Sequence, residues 1–225
     1  MRYLIFSLGL LLSCSTEEKS LTDYVNPFIG TGGHGHTYPG ASSPFGMTQL
    51  SPDTRLEGWD GCGGYHYSDD EIYGFSHTHL SGTGVSDYGD ILLIPTTGEL
   101  LLTNGSDGTK GYKSKFSHNN ETAKAGYYSV NLEDYNIDVE LTVSKRAGFH
   151  KYTYNSDKEA QLILDLEHRD RLTSSNIELV NINSIKGWRH SSNWAEDQRL
   201  YFYIQLSEDI SEVIYREDSL VAGFK

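Results

Sequence analysis

Cysteine is nearly missing from this chain of 225 residues: there are two, Cys14 and Cys62. With Cys14 read as part of a leader, one thiol remains and no internal disulfide is available, so the fold must rest on its core alone. Basic residues are also scarce, 18 Lys and Arg against 31 Asp and Glu, for a net charge of −13. Nucleic-acid binding needs a basic face and is not expected. Acidity of this size favours solubility and names no ligand. No segment shows a sustained helical period, which leaves little room for helices. Apolar runs are short as well. Tyr3 to Leu12 spans ten residues, too few to cross a bilayer.

That run belongs to a leader. Met1-Arg2 is a positive start, and Leu11-Leu12-Ser13-Cys14 reads as a bacterial lipobox. Cleavage there would make Cys14 the acylated first residue, anchoring the protein to the membrane by lipid. An ordinary signal peptide with an incidental cysteine is the alternative. Ser15 to Ser20 is a short polar tether. Residues 1–20 are therefore set apart from a domain over residues 21–225. The expected location is the bacterial cell envelope, lipid-anchored in the periplasm or at the outer membrane surface.

Glycine (23) and tyrosine (16) are plentiful, a mixture that suits β structure. Ile137 to Val143 alternates apolar and polar residues strictly, the pattern of a half-buried strand. Tyr127–Leu132, Phe149–Tyr154, Gln161–Leu166, Leu179–Ile185, Leu200–Leu206, Val213–Tyr215 and Leu220–Phe224 continue the series, with shorter strands at Gly46–Leu50, Ile72–Phe75 and Leu100–Leu102. Ile91 to Ile94 reads as a buried strand stopped by Pro95. Turns are expected at Asn155-Ser156-Asp157 and Ser174-Ser175-Asn176. Strands at this spacing predict an all-β fold, an antiparallel β-sandwich. The last residues read as a strand, so the domain is expected to be incomplete at its C-terminus.

Function concentrates between Gly30 and Gly98, where glycine, histidine, tryptophan and tyrosine crowd together without apolar periodicity. Gly30-Thr31-Gly32-Gly33-His34-Gly35 fits a dinucleotide fingerprint, but Pro39 and Gly40 cannot continue the helix that fingerprint must open. A glycine-rich turn bringing backbone amides and His34 near a ligand is the better account. His34/His36 and His77/His79 have the i, i+2 spacing that puts two rings on one strand face. They could ligate zinc, or hydrogen-bond a polar ligand or one another. Trp59 and Asp60, flanked by Gly58 and Gly61, would give a stacking platform beside an acceptor, a natural pair for a sugar. Cys62 is either a small buried hydrophobe or a pocket wall. Asp165 and Glu167 would face one side as catalytic carboxylates, but a solvated strand exit accounts for them better.

Asn26-Pro27-Phe28-Ile29-Gly30-Thr31-Gly32, Ser43-Pro44-Phe45-Gly46-Met47, Gly64-Tyr65-His66-Tyr67 and Gly74-Phe75-Ser76-His77-Thr78-His79-Leu80-Ser81-Gly82 together resemble glycoside hydrolase family 92. The resemblance implies calcium-dependent exo-acting α-mannosidases with an N-terminal β-sandwich followed by an (α/α)6 barrel. It implies that calcium, the catalytic acid and the base belong mainly to the barrel, so no catalytic or metal residue is assigned to this chain. It also implies that Trp59 rests against the leaving mannose of an α-1,2-linked glycan. Gly32, Gly33, Asp60, Cys62, His77 and His79 are further candidates for lining the pocket. Two rival expectations stand beside it: a non-catalytic carbohydrate-binding surface lipoprotein, and a His-rich metal-binding β-sandwich.

Overall fold

The computed structural model describes residues 19–216 and 218–224. The lipobox and Cys14 lie outside the described residues. Among those described there is no α-helix, only 3-10 turns at Leu21–Tyr24, Trp59–Gly61 and His118–Asn120. The strands, in chain order, are β1 (Ala41–Ser42), β2 (Gln49–Asp53), β3 (Glu71–Ile72), β4 (Gly74–Ser76), β5 (Leu92–Thr97), β6 (Ser114–Lys115), β7 (Glu121–Lys124) and β8 (Tyr127–Leu132). They continue with β9 (Ile137–Val143), β10 (Gly148–Tyr154), β11 (Ala160–Asp165), β12 (Arg171–Asn181), β13 (Ser184–Ser192), β14 (Gln198–Gln205), β15 (Glu212–Arg216) and β16 (Ser219–Phe224).

Three layers result. A seven-stranded sheet in the order β1-β2-β4-β5-β11-β16-β15 lies in the middle. A four-stranded sheet, β10-β9-β8-β7, packs on one face, and a three-stranded sheet, β12-β13-β14, on the other. Alternation along the central strands decides which residue meets which layer. Leu92, Ile94, Ile163 and Val221 join Val130, Leu132, Ile137, Val139 and Leu141 in the first core. Ile91, Leu93, Leu162, Leu164, Leu220 and Ala222 join Ile185, Leu200, Phe202 and Ile204 in the second. A strand covered on both faces needs apolar residues at every position, which is why Ile91 to Ile94 is continuous. The outer strands are covered on one face only and alternate, as β9 does with burial following every second residue. Every paired strand is antiparallel, so the all-β antiparallel sandwich read from the sequence is the observed class, with a third layer added.

Several boundaries differ from expectation. Pro95 does not stop β5 but sits inside it, opposite Leu162 of β11. On the other side β4 is short and pairs with β5 only at Phe75 and Leu93, so the missing N–H of Pro95 faces an open edge. Leu179 to Ile185 is not one strand. The chain reverses at Ile182-Asn183, where the Asn181 side chain accepts from the Asn183 amide at 3.0 Å and ends β12. Ser174-Ser175-Asn176 is not a turn but the middle of β12, paired with Trp188, Arg189 and His190. Leu100 to Leu102 packs against the first core without joining a sheet.

Candidate functional site

Four loops converge around Trp59: residues 30–40 before β1, 54–66 after β2, 77–91 before β5, and 166–170 after β11. Gly58 opens the Trp59–Gly61 turn with φ 88°, a left-handed conformation that costs glycine nothing. The turn leaves the indole 63% exposed. Two contacts fix it nonetheless. His36 meets its ring edge-on at 5.0 Å between centroids. Gly84 lies so close beneath that an added Cβ would stand 2.0 Å from Cζ3 of Trp59. A large aromatic held outside the core by its neighbours is a preformed platform.

Asp60 follows Trp59 and is half-buried. Its Oδ1 accepts from His34 Nδ1 at 2.7 Å and lies 3.5 Å from His36 Nε2. The hydrogen bond from His34 chiefly holds this carboxyl below the usual carboxylate range, so it stays an acceptor and a negative charge at neutral pH. His34 is exposed and His36 buried, yet both converge on Asp60. Gly32 and Gly33 sit exposed on the same loop, and the Gly33 carbonyl accepts from His66 Nε2 at 3.1 Å.

The remaining predicted site residues go elsewhere. Cys62 is fully buried; its thiol donates to the Thr83 carbonyl at 2.7 Å, and burial pushes its pKa up. It is the small buried residue rather than a wall open to solvent. His79 is also buried, with Nδ1 donating to the Gln49 carbonyl at 2.7 Å and Nε2 3.2 Å from Asp53 Oδ1. His77 turns to a different partner: its Nε2 meets His150 Nε2 at 3.0 Å, and its Nδ1 donates to the Ile91 carbonyl at 2.7 Å. The two histidines of the second pair therefore share no ligand-facing position. Among the described residues no three His, Cys, Asp or Glu side chains form a metal-holding group. Calcium prefers several oxygen ligands, and the carboxylate at the loop, Asp60, is already engaged by two imidazoles. Among the described residues this loop does not make a calcium site.

The Asp165–Asp170 run is the part of the site that sequence reasoning missed. Instead of a solvated exit, it folds inward, with only Glu167 left exposed. Asp165 accepts from the Tyr112 hydroxyl at 2.5 Å and the Glu167 amide at 2.7 Å. His168 Nε2 lies 3.2 Å from Asp53 Oδ2, opposite His79 on the other oxygen. Burial opposes charge on Asp53, but the two imidazoles outweigh it and hold the carboxyl well below its usual range. Arg169 lies 3.7 Å from the same carboxylate through Nη1, while Nη2 donates to the Gly61 carbonyl at 2.8 Å and to Ser86 Oγ at 2.5 Å. One buried guanidinium thus ties the Trp59–Gly61 turn to the loop that carries Gly84. The signal was a basic pair, His168-Arg169, directly after an apolar strand, a place where a charge can turn back under the sheet.

A cavity of about 800 Å³ lies away from Trp59, between β10 and β14 over Leu93 and Leu162. His77 and His150 border it. The Ile91 carbonyl can only accept, so His77 Nδ1 carries the proton, its Nε2 accepts from His150, and His150 Nδ1 accepts from the Tyr152 hydroxyl at 2.7 Å.

At this end the antiparallel sandwich presents an exposed, braced tryptophan beside an ionised carboxylate. Residues 24–222 match the glycosyl hydrolase family 92 N-terminal domain, and the chain belongs to that family. A family GH92 α-mannosidase from Bacteroides thetaiotaomicron, solved in complex with mannoimidazole, is similar with a TM-score of 0.82 and 35% identity. The match covers 92% of this chain and 30% of that one. A family GH92 inverting mannosidase from the same species shares the fold, with a TM-score of 0.76 at 24% identity over 92% of this chain and 30% of its own. An uncharacterized secreted glycosidase from Arthroderma benhamiae is 30% identical over 159 residues, which are 67% of this chain and 20% of that protein. The chain therefore spans less than a third of the length of these relatives.

Proposed function

We propose that this chain is the N-terminal sandwich of an exo-acting α-mannosidase that cleaves α-1,2-linked mannose from glycans with inversion. The observation that carries the reading is the Trp59 platform, exposed yet braced by His36 and Gly84, with Asp60 adjacent. A pyranose offers an apolar C–H face to an indole and hydroxyl edges to a carboxylate. The family match and the relatives named as mannosidases support mannose as the sugar.

In this reading the sandwich binds and orients, and the reacting groups come from outside it. Inversion requires an acid and a base roughly 6.5–9.5 Å apart on opposite faces of the sugar. Asp60 is the carboxylate beside Trp59, and it is engaged by His34 and His36. Trp59 would seat the leaving-side mannose, and Asp60 would accept from a hydroxyl of the terminal sugar. Gly32 and Gly33 would let the backbone come close to the ligand. The anchor at Cys14 would place the protein in the envelope, where glycans are met.

The test is hydrolysis by the full-length protein of a panel of α-1,2-, α-1,3- and α-1,6-mannobiose, with the product anomer followed by proton NMR. Preferential release from the α-1,2 compound, first as β-mannose, is expected. Initial α-mannose, or a preference for another linkage, would contradict the reading.

A further inference from the structure

Trp194 is 65% exposed, as open as Trp59, and belongs to none of the four loops around Trp59. It lies in the turn between β13 and β14. Isolated exposed apolar residues are ordinary and need no explanation. This one differs in how it is held. On its N-terminal side the Asn193 side chain donates to the Ser86 carbonyl. On its C-terminal side the Ala195 amide donates to Asp87 Oδ2 at 2.8 Å. The Asn193 amide closes the turn on the Ala195 carbonyl at 3.1 Å. Further along, Gln198 Nε2 donates to Asp90 Oδ2 at 2.5 Å. Asp87 and Asp90 are themselves buried. The turn is therefore fastened on both sides of an indole that it leaves in solvent.

The loop it is fastened to is the one beneath Trp59. Gly84 receives the Trp59 ring, and Ser86 and Asp87 receive the Trp194 turn. Only Val85 separates Gly84 from Ser86, whose Cα atoms are about 7 Å apart when the chain is fully extended. Arg169 holds Ser86 and Gly61 at once, so both mounts share one buried anchor. Two exposed indoles mounted on one hydrogen-bonded loop are placed to meet successive rings of one ligand, and their fixed mounts reduce the ordering that binding costs.

We infer that Trp194 is a second sugar platform, a distal subsite for a mannose oligosaccharide longer than a disaccharide. The inference rests on the Trp59 reading for the identity of the sugar and goes beyond it in assigning chain-length selectivity. Glu196, exposed in the same turn, supplies a carboxylate for hydroxyl edges.

The experiment uses the full-length protein, α-1,2-mannobiose and α-1,2-mannotetraose, with Trp194→Ala and Trp194→Tyr beside the unaltered enzyme. By the scale of one lost aromatic platform, Trp194→Ala should lose about fivefold or more in kcat/KM on the tetraose relative to its change on the biose, mainly through KM. Trp194→Tyr should recover most of the difference, which a merely structural role would not produce. Melting temperatures of both variants should stay close to that of the parent, since the side chain is exposed. Equal changes on the two substrates, or no recovery by tyrosine, would overturn the inference while leaving Trp59 untouched if Trp59→Ala still impairs mannobiose cleavage. No turnover of either mannoside by the parent enzyme would overturn both.

Discussion

At the scale of single residues, the site turns on contacts that a glycine permits. Gly84 has no positive φ to explain it; what it provides is room for the Trp59 ring. Gly84→Ala should push the indole outward, and because Trp59 is exposed this should cost little stability. The expected outcome is a loss in kcat/KM on α-1,2-mannobiose approaching that of removing the ring, about tenfold, with the melting temperature nearly unchanged. Kinetics on the parent and variant, read beside a thermal melt, check it; unchanged kinetics would mean the ring position is not used. The loop position of Trp59 and Asp60 was legible because flanking glycines mark a loop. Cys62 and His79 were not, since residue identity does not say which side of a loop a side chain takes. His34 and His36 show the same limit: adjacent in pattern, one exposed and one buried, they meet only because Asp60 lies between them.

At the scale of elements, the buried cluster of Asp53, His79, His168 and Arg169 fastens loops from three connections. Removing one member of a buried ion group leaves the others uncompensated, which costs several kcal/mol. Arg169→Met should therefore destabilise the protein by about 3 kcal/mol or more and loosen both the Trp59 turn and the Ser86 loop. Chemical denaturation measures the first, and a change under 1 kcal/mol would show that the cluster is not a structural anchor. This cluster was hidden in the sequence because its members stand far apart and each looks like a solvated charge. Strands were easier. Tyr127–Leu132 and Ile137–Val143 were readable to the residue because one face is buried and one wet. Leu179–Ile185 misled because an Asx turn at Asn181 interrupts an apolar run. Pro95 misled because the shortness of β4, which frees one side of β5, is not written near Pro95 itself.

At the scale of the whole molecule, three stacked sheets bury polar groups as well as apolar ones, and this ties stability to pH. Burial lowers the pKa of His77 from 6.5 to about 4, and burial followed by its neighbour His77 holds that of His150 well below the usual histidine value. A histidine with a depressed folded pKa binds fewer protons than its unfolded form. Its contribution is present above pH 6.5 and is lost as pH falls toward 4. Unfolding free energy should accordingly decline over that window, by up to about 1.4 kcal/mol per pH unit for each histidine. His150→Gln should flatten the slope by roughly one proton; denaturant titrations at pH 4.5 and 7 of parent and variant measure this, and identical slopes would refute the assignment. The layered architecture itself was only half legible. The continuous run at Ile91–Ile94 announced a strand covered on both faces, but which sheet supplied the second cover depended on β12 to β14, whose turns were misplaced.

The kinetics of Trp59→Ala bear most directly on the role of this domain. In the full-length protein the substitution should reduce kcat/KM on α-1,2-mannobiose by roughly 10- to 100-fold, the scale of a lost aromatic platform. An aryl α-mannoside, whose small activated leaving group does not rely on that contact, should suffer less, and the melting temperature should hold. A large fall in melting temperature with equal losses on both substrates would instead make Trp59 a packing residue, and the sugar-binding role of the loop would be abandoned.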